Sequence, residues 1–352
     1  DRQAVYRGFD LDIGAALELE FKHGMQVIAI GEIEDVALPL YEGRMIGQFD
    51  FSKKGWVSGK GRTAVWREIG FEDKVIEPQY LMGLVAYRGS IPEAAASTIP
   101  CNMKFGFMDV SSATNSRTMV ASLIMDNPCG NKVPVLGSRF PLLLQACLNS
   151  LAYDFAIRNR LGGLTLNYFI VEETVLPRPR ARAGLAALPS ASLTGCATSF
   201  APAWGAVLES LDVPVSAGLL RIPWRHLWAL TAHERLRLRC ILDALVAHLY
   251  GLDEPDFRHI LRDCDHPVEL TTSNDFTRGL DPKGFWRVDK NSDPELRHPV
   301  LAQVALADLQ ALIRNHGEDE AIRRFLGSGP DDGWMLPETL RLADYDLGHD
   351  ER

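Results

Sequence analysis

The apolar positions of this chain change their period along its length, and the changes divide it. Residues 5–38 carry short aliphatic, β-branched runs that predict strands; residues 27–30 form one, bounded by Gly24 and Gly31. Residues 80–125 again suggest short strands, with turn signals at Pro92, Pro100 and the pair Asn127 and Pro128. Over residues 139–160 the spacing becomes three and four. Leu144, Leu148, Leu151 and Phe155 predict one helix, and Gly162 and Gly163 end it. Residues 164–175 then read as a strand closed by Pro177, with Leu148, Phe155 and Phe169 as core.

Residues 177–203 lose periodicity. They hold Pro177, Pro179, Pro189 and Pro202 among many alanines and read as a linker. Beyond them the helical period returns. Thr231 followed by Glu234 is a capping-box pattern, in which the threonine caps the third amide and the glutamate reaches back. The helix it opens should stop at Gly251. His248, in that helix, reads as a core histidine. A further helix is expected over about 299–315, ending near Gly317. The fold class expected is α+β. A mixed α/β domain covers 1–180, a linker 181–204, a helical domain 205–326, and a loose acidic tail 327–352.

Composition narrows the class. The chain has 352 residues, 46% hydrophobic and 24% charged, as in globular proteins. No apolar run approaches the roughly 20 residues of a membrane span. The first residue is Asp1 and no signal-peptide pattern follows, so the chain reads as a piece of a longer cytoplasmic polypeptide. Six cysteines lack any Cys-x-x-Cys pair, which argues against zinc and fits a reducing compartment. Net charge is −9, but it is unevenly placed: 19 basic against 20 acidic side chains over 1–180, then 18 against 26. DNA binding requires a local basic surface, not a basic total.

Residues 43–67 supply one. They hold Arg44, Lys53, Lys54, Lys60, Arg62 and Arg67 against Asp50 alone, net +5. Phe49, Phe51, Trp56 and Trp66 interleave with five glycines. Mobile cations suit phosphates, while Arg, Gln and aromatics suit bases. A solvated hairpin with a lysine-protected edge would have the same composition. A second cluster, Asn115, Ser116 and Arg117, combines the side chains that read adenine and guanine, although such residues also serve turns. A third comprises Arg158, Arg160, Thr165 and Asn167; arginines at a helix C-terminus are favoured by the dipole in any case.

Other motifs are incomplete. An exocyclic-amine methyltransferase needs an Asn/Asp-Pro-Pro-aromatic segment, and Asp126-Asn127-Pro128-Cys129 lacks the second proline and the aromatic. No glycine-rich cofactor loop follows a strand. Asp263-Cys264-Asp265-His266 reads as a solvated loop rather than a metal site. Asp50 with Glu72 and Lys74 has the spacing of a magnesium-dependent nuclease.

Several segments together carry a resemblance. Pro39-Leu40-Tyr41-Glu42-Gly43-Arg44-Met45-Ile46, with Gln48-Phe49-Asp50, resembles the "PLYEGKMI-x-QFDH" segment of large single-chain adenine-specific DNA methyltransferases of the type II restriction–modification, BREX and DISARM phage-defence kinds. Thr114 to Thr118 is similar to their "TNERT" turn. Leu148-Asn149-Ser150 through Leu166-Asn167-Tyr168-Phe169 resembles their "LNSFVFDYLVRQKVGGTHLNYFIL" stretch. Residues 242–252 resemble "DALVAHLYGL", and the order is collinear from about 39 to 313. Gly47 and Phe51 stand where the family has histidines, and Ser116 where it has glutamate.

The resemblance implies a target-recognition region that binds double-stranded DNA and presents an adenine to a catalytic domain. That domain would lie upstream in the parent chain and use S-adenosylmethionine; no cofactor or methyl-transfer motif is expected in this chain. Lys53, Lys54, Lys60 and Arg62 would neutralise phosphates. Arg44, Gln48, Asn115 and Arg117 would face base edges, with Asn167 a further contact and Trp56 or Trp66 stacking or packing. Two other classes compete: a module docking another subunit of a defence complex through its acidic half, and the nuclease. Metal-dependent DNA cutting that disappears in Glu72→Ala would select the nuclease; co-purification with a subunit and no affinity for DNA would select the docking module.

Overall fold

The computed structural model describes residues 37–90, 103–138, 140–177, 186–210, 219, 221, 223–327 and 333–337. The strands expected within 5–36 and most of the acidic tail lie outside these residues. The fold is α+β, with small antiparallel sheets and a preponderance of helix. In chain order the strands are β1 (Ala37–Pro39), β2 (Lys54–Ser58), β3 (Val65–Glu68), β4 (Leu81–Gly83), β5 (Met103–Phe107), β6 (Ala121–Met125) and β7 (Val135–Leu136). The helices that matter below are α1 (Leu84–Ser90), α2 (Pro141–Asn149), α3 (Leu151–Arg160), α4 (Tyr168–Glu172), α5 (Ala187–Thr194), α6 (Ala201–Ser210), α7 (Ala232–Tyr250), α8 (His298–His316) and α9 (Glu318–Leu326).

The chain forms two compact units that interleave in sequence. One comprises 1–108, 121–145 and 191–230; the other comprises 109–120, 146–190 and 231–352. This differs from a cut at residues 180–205. The expected linker is largely helical where it is described. Ala191, Leu193, Phe200, Ala201 and Trp204 are all buried. Alanine is the best helix former, and its small side chain packs closely, so this stretch folds without an amphipathic pattern.

In the first unit, β5 is the central strand of a three-stranded sheet ordered β6-β5-β7, and every residue of β5 is buried. Phe105 pairs with Leu123 and Leu136 on its two sides. Lys104 is buried within the same strand and is matched by Tyr87 Oη at 2.7 Å and Asp126 at 3.5 Å. The 40–53 segment is tied to this sheet. The Tyr41 N–H donates to Pro128 O (2.8 Å), and the Phe49 N–H donates to Ala121 O (3.3 Å). Residues 80–90 are not all strand: β4 runs directly into α1.

In the second unit the long helices α7 and α8 form the core. Thr231 caps α7 as its sequence predicts, its hydroxyl accepting from the Glu234 N–H at 3.2 Å. The Glu234 carboxylate takes both Nε and Nη2 of Arg237, at 2.7 and 2.8 Å. Gly251, at φ +79°, ends the helix. His248 is half-buried rather than core, and contacts Glu318 of α9 at 3.0 Å.

Two expectations fail here. The single helix over 139–160 is two helices, α2 and α3. Ser150 breaks them at ψ 154°, donating to Cys147 O and capping Tyr153 N–H. Spacing of three and four is preserved across such a cap, so periodicity does not reveal it. The strand over 164–175 reduces to one bridge, Thr165 opposite Val110, followed by α4. Ile170 and Val171 point inward, while Tyr168 and Phe169 are exposed and Phe155 is half-buried. The β-branched and aromatic composition of 168–171 favours strand, and burial of one helical face overrides it.

Asp243, on α7, joins three helices of this unit. Its Oδ1 accepts the Leu151 N–H at the start of α3 (2.6 Å), and its Oδ2 lies 2.7 Å from His298 Nε2 at the start of α8. Burial pushes the His298 pKa below its ordinary value near 6.5, and Asp243 offsets this only in part. The folded state therefore favours the neutral ring more than the unfolded chain does. Its contribution is complete above pH 6.5 and is lost as pH falls from there toward the depressed value, because the unfolded chain takes up the proton first. Urea unfolding at pH 8 and pH 5.5 should show a loss of up to about 1.4 kcal/mol per pH unit from this residue. His298→Gln should flatten that portion of the pH dependence.

Candidate nucleic-acid interface

The basic segment folds into a two-stranded antiparallel ribbon, β2 with β3. Gly55 pairs with Arg67, Trp56 with Trp66, and Ser58 with Val65, so Val57 forms a bulge. A bulge adds twist to the ribbon. The cross-strand Trp pair contributes roughly 0.2–1 kcal/mol. The turn is closed from within: Trp56 Nε1 donates to Gly59 O (3.0 Å) and the Thr63 hydroxyl to Lys60 O (2.9 Å). Gly59 has φ +76°, and a Cβ there would stand 2.3 Å from Thr63 O. Only glycine fits.

The ribbon's root is held by Lys74, whose side chain is 1% exposed. Its ammonium donates to Asp50 Oδ2 (2.8 Å), Ser52 O (2.9 Å) and Ile69 O (2.8 Å). A lysine has three donors, and all three are used. Ser52 and Ile69 flank β2 and β3, so one buried cation fixes where both strands leave the body. Asp50 also accepts the Ser52 N–H at 3.0 Å. Two of the three residues with nuclease spacing are thus bound to one another in the interior, and Glu72 is exposed. Among the described residues no three His, Cys, Asp or Glu side chains gather to hold a metal ion. Asp263 and His266 lie 3.3 Å apart, but the intervening Cys264 is buried, its thiol pushed up to about 12 mainly by desolvation.

The second restraint is Glu77. Its carboxylate crosses the ribbon at Gly55, where a Cβ would stand 2.1 Å from Oε2. There it grips Arg67, accepting Nε at 2.9 Å and also Nη2. Gln79 adds a hydrogen bond to Gly59 O at 3.2 Å. Neither residue stands out by motif. The available signal is the charge reversal after the basic run, with Glu68, Glu72, Asp73 and Glu77 in succession. Over residues 43–77 seven basic side chains face five acidic ones, net +2.

The cations therefore fall into two groups. Arg67 and Lys74 are structural. Lys54 is half-buried and lies 3.9 Å from the exposed Glu68, a contact worth about 0–1 kcal/mol and readily exchanged. Lys53, Lys60 and Arg62 are exposed, and no ion pair engages them among the described residues. Arg44 is exposed with its guanidinium 5.9 Å from the Trp66 ring centroid. Gln48 is half-buried in the turn between Gly47 and Asp50, and Trp56 is half-buried with its N–H spent on the turn.

The second and third clusters belong to the other unit. Arg117, expected at a base edge, is turned inward. It is mostly buried, 3.2 Å from Asp154 Oδ2, and donates to Asn149 O. Asp154, fully buried, also accepts the Thr118 N–H and Arg158 Nε. Arg158 in turn donates to Lys283 O and lies 3.8 Å over the Phe285 ring. A buried carboxylate demands such compensation, and two arginines supply it. Arg158 thus does more than favour a helix end. Asn115 is exposed on a turn closed by its own N–H to Ser112 O (3.1 Å), and Asn167 is exposed at the start of α4.

No protein-family model, curated protein or solved structure matches this chain.

Removing Lys74 strands Asp50 in the interior without its counter-ion. Lys74→Met should cost about 3–5 kcal/mol, measured by chemical denaturation. Asp50→Leu added to Lys74→Met should recover part of that loss.

Proposed function

We propose that this chain is the target-recognition and C-terminal part of an adenine-specific DNA methyltransferase of the restriction–modification or phage-defence type. The β2–β3 ribbon is its DNA-contacting element. The observation that carries this is the ribbon's division of labour. Arg67 and Lys74 are consumed internally, and the exposed tip keeps Lys60 and Arg62 on a hydrogen-bonded turn. Strands of a ribbon lie about 4.8 Å apart, and a two-stranded ribbon enters the major groove, about 12 Å wide. The collinear resemblance from residue 39 to 313 supplies the chemistry, an adenine presented to a catalytic domain elsewhere in the parent chain. S-adenosylmethionine would bind there, in the cytoplasm.

Lys60 and Arg62, with Lys53 and Lys54, would neutralise phosphates; Arg44 and Gln48 remain candidates for base edges. Asn115 and Asn167 are exposed and keep that role open on the other unit, from which Arg117 is withdrawn. Docking to another defence subunit remains an alternative reading, and among the described residues the nuclease lacks a converged acidic set. Among the described residues no helix is long and apolar enough to cross a membrane.

A labelled mixed-sequence duplex titrated at several salt concentrations tests this. Binding should weaken with salt at a log–log slope of about −0.9 per phosphate contacted. Lys60→Ala with Arg62→Ala should reduce the slope by about 1.8, the share of two contacts, without unfolding the protein. An unchanged slope would show that the ribbon tip does not touch DNA.

A further inference from the structure

The second unit exposes more apolar surface in one place than a solvated face explains. Leu164 is 70% exposed, Phe169 57% and Val175 71%, with Val110, Tyr168 and Leu176 exposed beside them. These residues are neighbours in the fold. Val110 bridges Thr165, and the Ser111 N–H donates to Leu164 O at 3.1 Å. Helix α4, which starts after Asn167, rises only about 7.5 Å over its five residues, so Val175 and Leu176 leave it close to where Tyr168 and Phe169 enter. Exposed apolar clusters of this density with a polar rim mark contact surfaces.

The rim says which contact. It is mostly uncharged, with Gly162, Gly163, Thr165 and Asn167 all exposed, and so is unsuited to phosphate. Its charged members include Arg160 and Glu173, 3.6 Å apart and both solvent-accessible, as well as the exposed Glu172. A surface holding one basic and one acidic residue side by side is complementary to its own copy about a twofold axis, because residue i meets j while j meets i. We propose that this face is the self-association surface of the protein: two copies join with Leu164, Phe169 and Val175 buried at the centre and Arg160 exchanging its partner for Glu173 of the second copy. The inference does not rest on the ribbon's DNA contact, which belongs to the first unit; a dimer formed here would cover Asn167, on the rim, and so set it aside as a base contact.

Sedimentation equilibrium over a wide concentration range tests it. The protein should dimerise, and Leu164→Glu with Phe169→Glu should raise the dimer Kd by roughly a hundredfold or more, with circular dichroism unchanged because both positions are exposed. Arg160→Glu alone should weaken the dimer, and adding Glu173→Arg should restore it. A monomer at every concentration overturns the proposal. So does a dimer indifferent to Leu164→Glu and Phe169→Glu, or one that the double charge exchange fails to rescue.

Discussion

One buried ammonium organises the candidate interface. A lysine taken out of water is tolerated only when each of its N–H groups finds an acceptor. Lys74 satisfies this with one carboxylate and two backbone carbonyls, and those carbonyls belong to the two ends of the ribbon. The requirement to solvate one charge therefore becomes a geometric restraint on two strands. Asp50 has its own amide donor in Ser52, so the pair is embedded in hydrogen bonds on both sides. A two-stranded hairpin is marginal by itself in water, and this one draws its definition from its root.

The same logic recurs in the other unit. Asp154 and Asp243 are buried carboxylates compensated by arginines, histidine and helix amides. Arg158 is a helical neighbour of Asp154, but Arg117 and Thr118 reach it, and Leu151 and His298 reach Asp243, from distant parts of the chain, so each carboxylate records a long-range contact that hydrophobic patterning does not encode. Removing one member of such a set is costly, because it leaves a buried charge uncompensated.

This explains what was legible in the sequence. The α+β class, the start and stop of α7, and the extent of α8 follow from local signals: a threonine cap, a glycine at positive φ, a sustained helical period. The ribbon was visible as a basic, aromatic, glycine-rich segment. What composition could not show was which cations were already spent. Arg67 and Lys74 look like Lys60 and Arg62 until Glu77 and Asp50 are folded against them. Arg117 has the chemistry of a guanine reader and the position of an internal counter-ion. The α2–α3 break at Ser150 and the helix at Tyr168 were hidden for another reason: a cap can preserve periodicity, and a buried face can outweigh strand propensity.

The order in which the chain visits its two units has a consequence for its synthesis. The polypeptide passes from one unit to the other five times, and the first unit draws its last segment from residues 191–230. A nascent chain leaving the ribosome thus cannot complete the first unit until residue 230 has been translated, and two segments of the second unit, 109–120 and 146–190, precede that point. Domains that fold as they emerge are contiguous. This protein instead gathers non-adjacent segments, so its first unit cannot close before residue 230 has emerged. A truncation anywhere between residues 109 and 230 would leave both units short of a part.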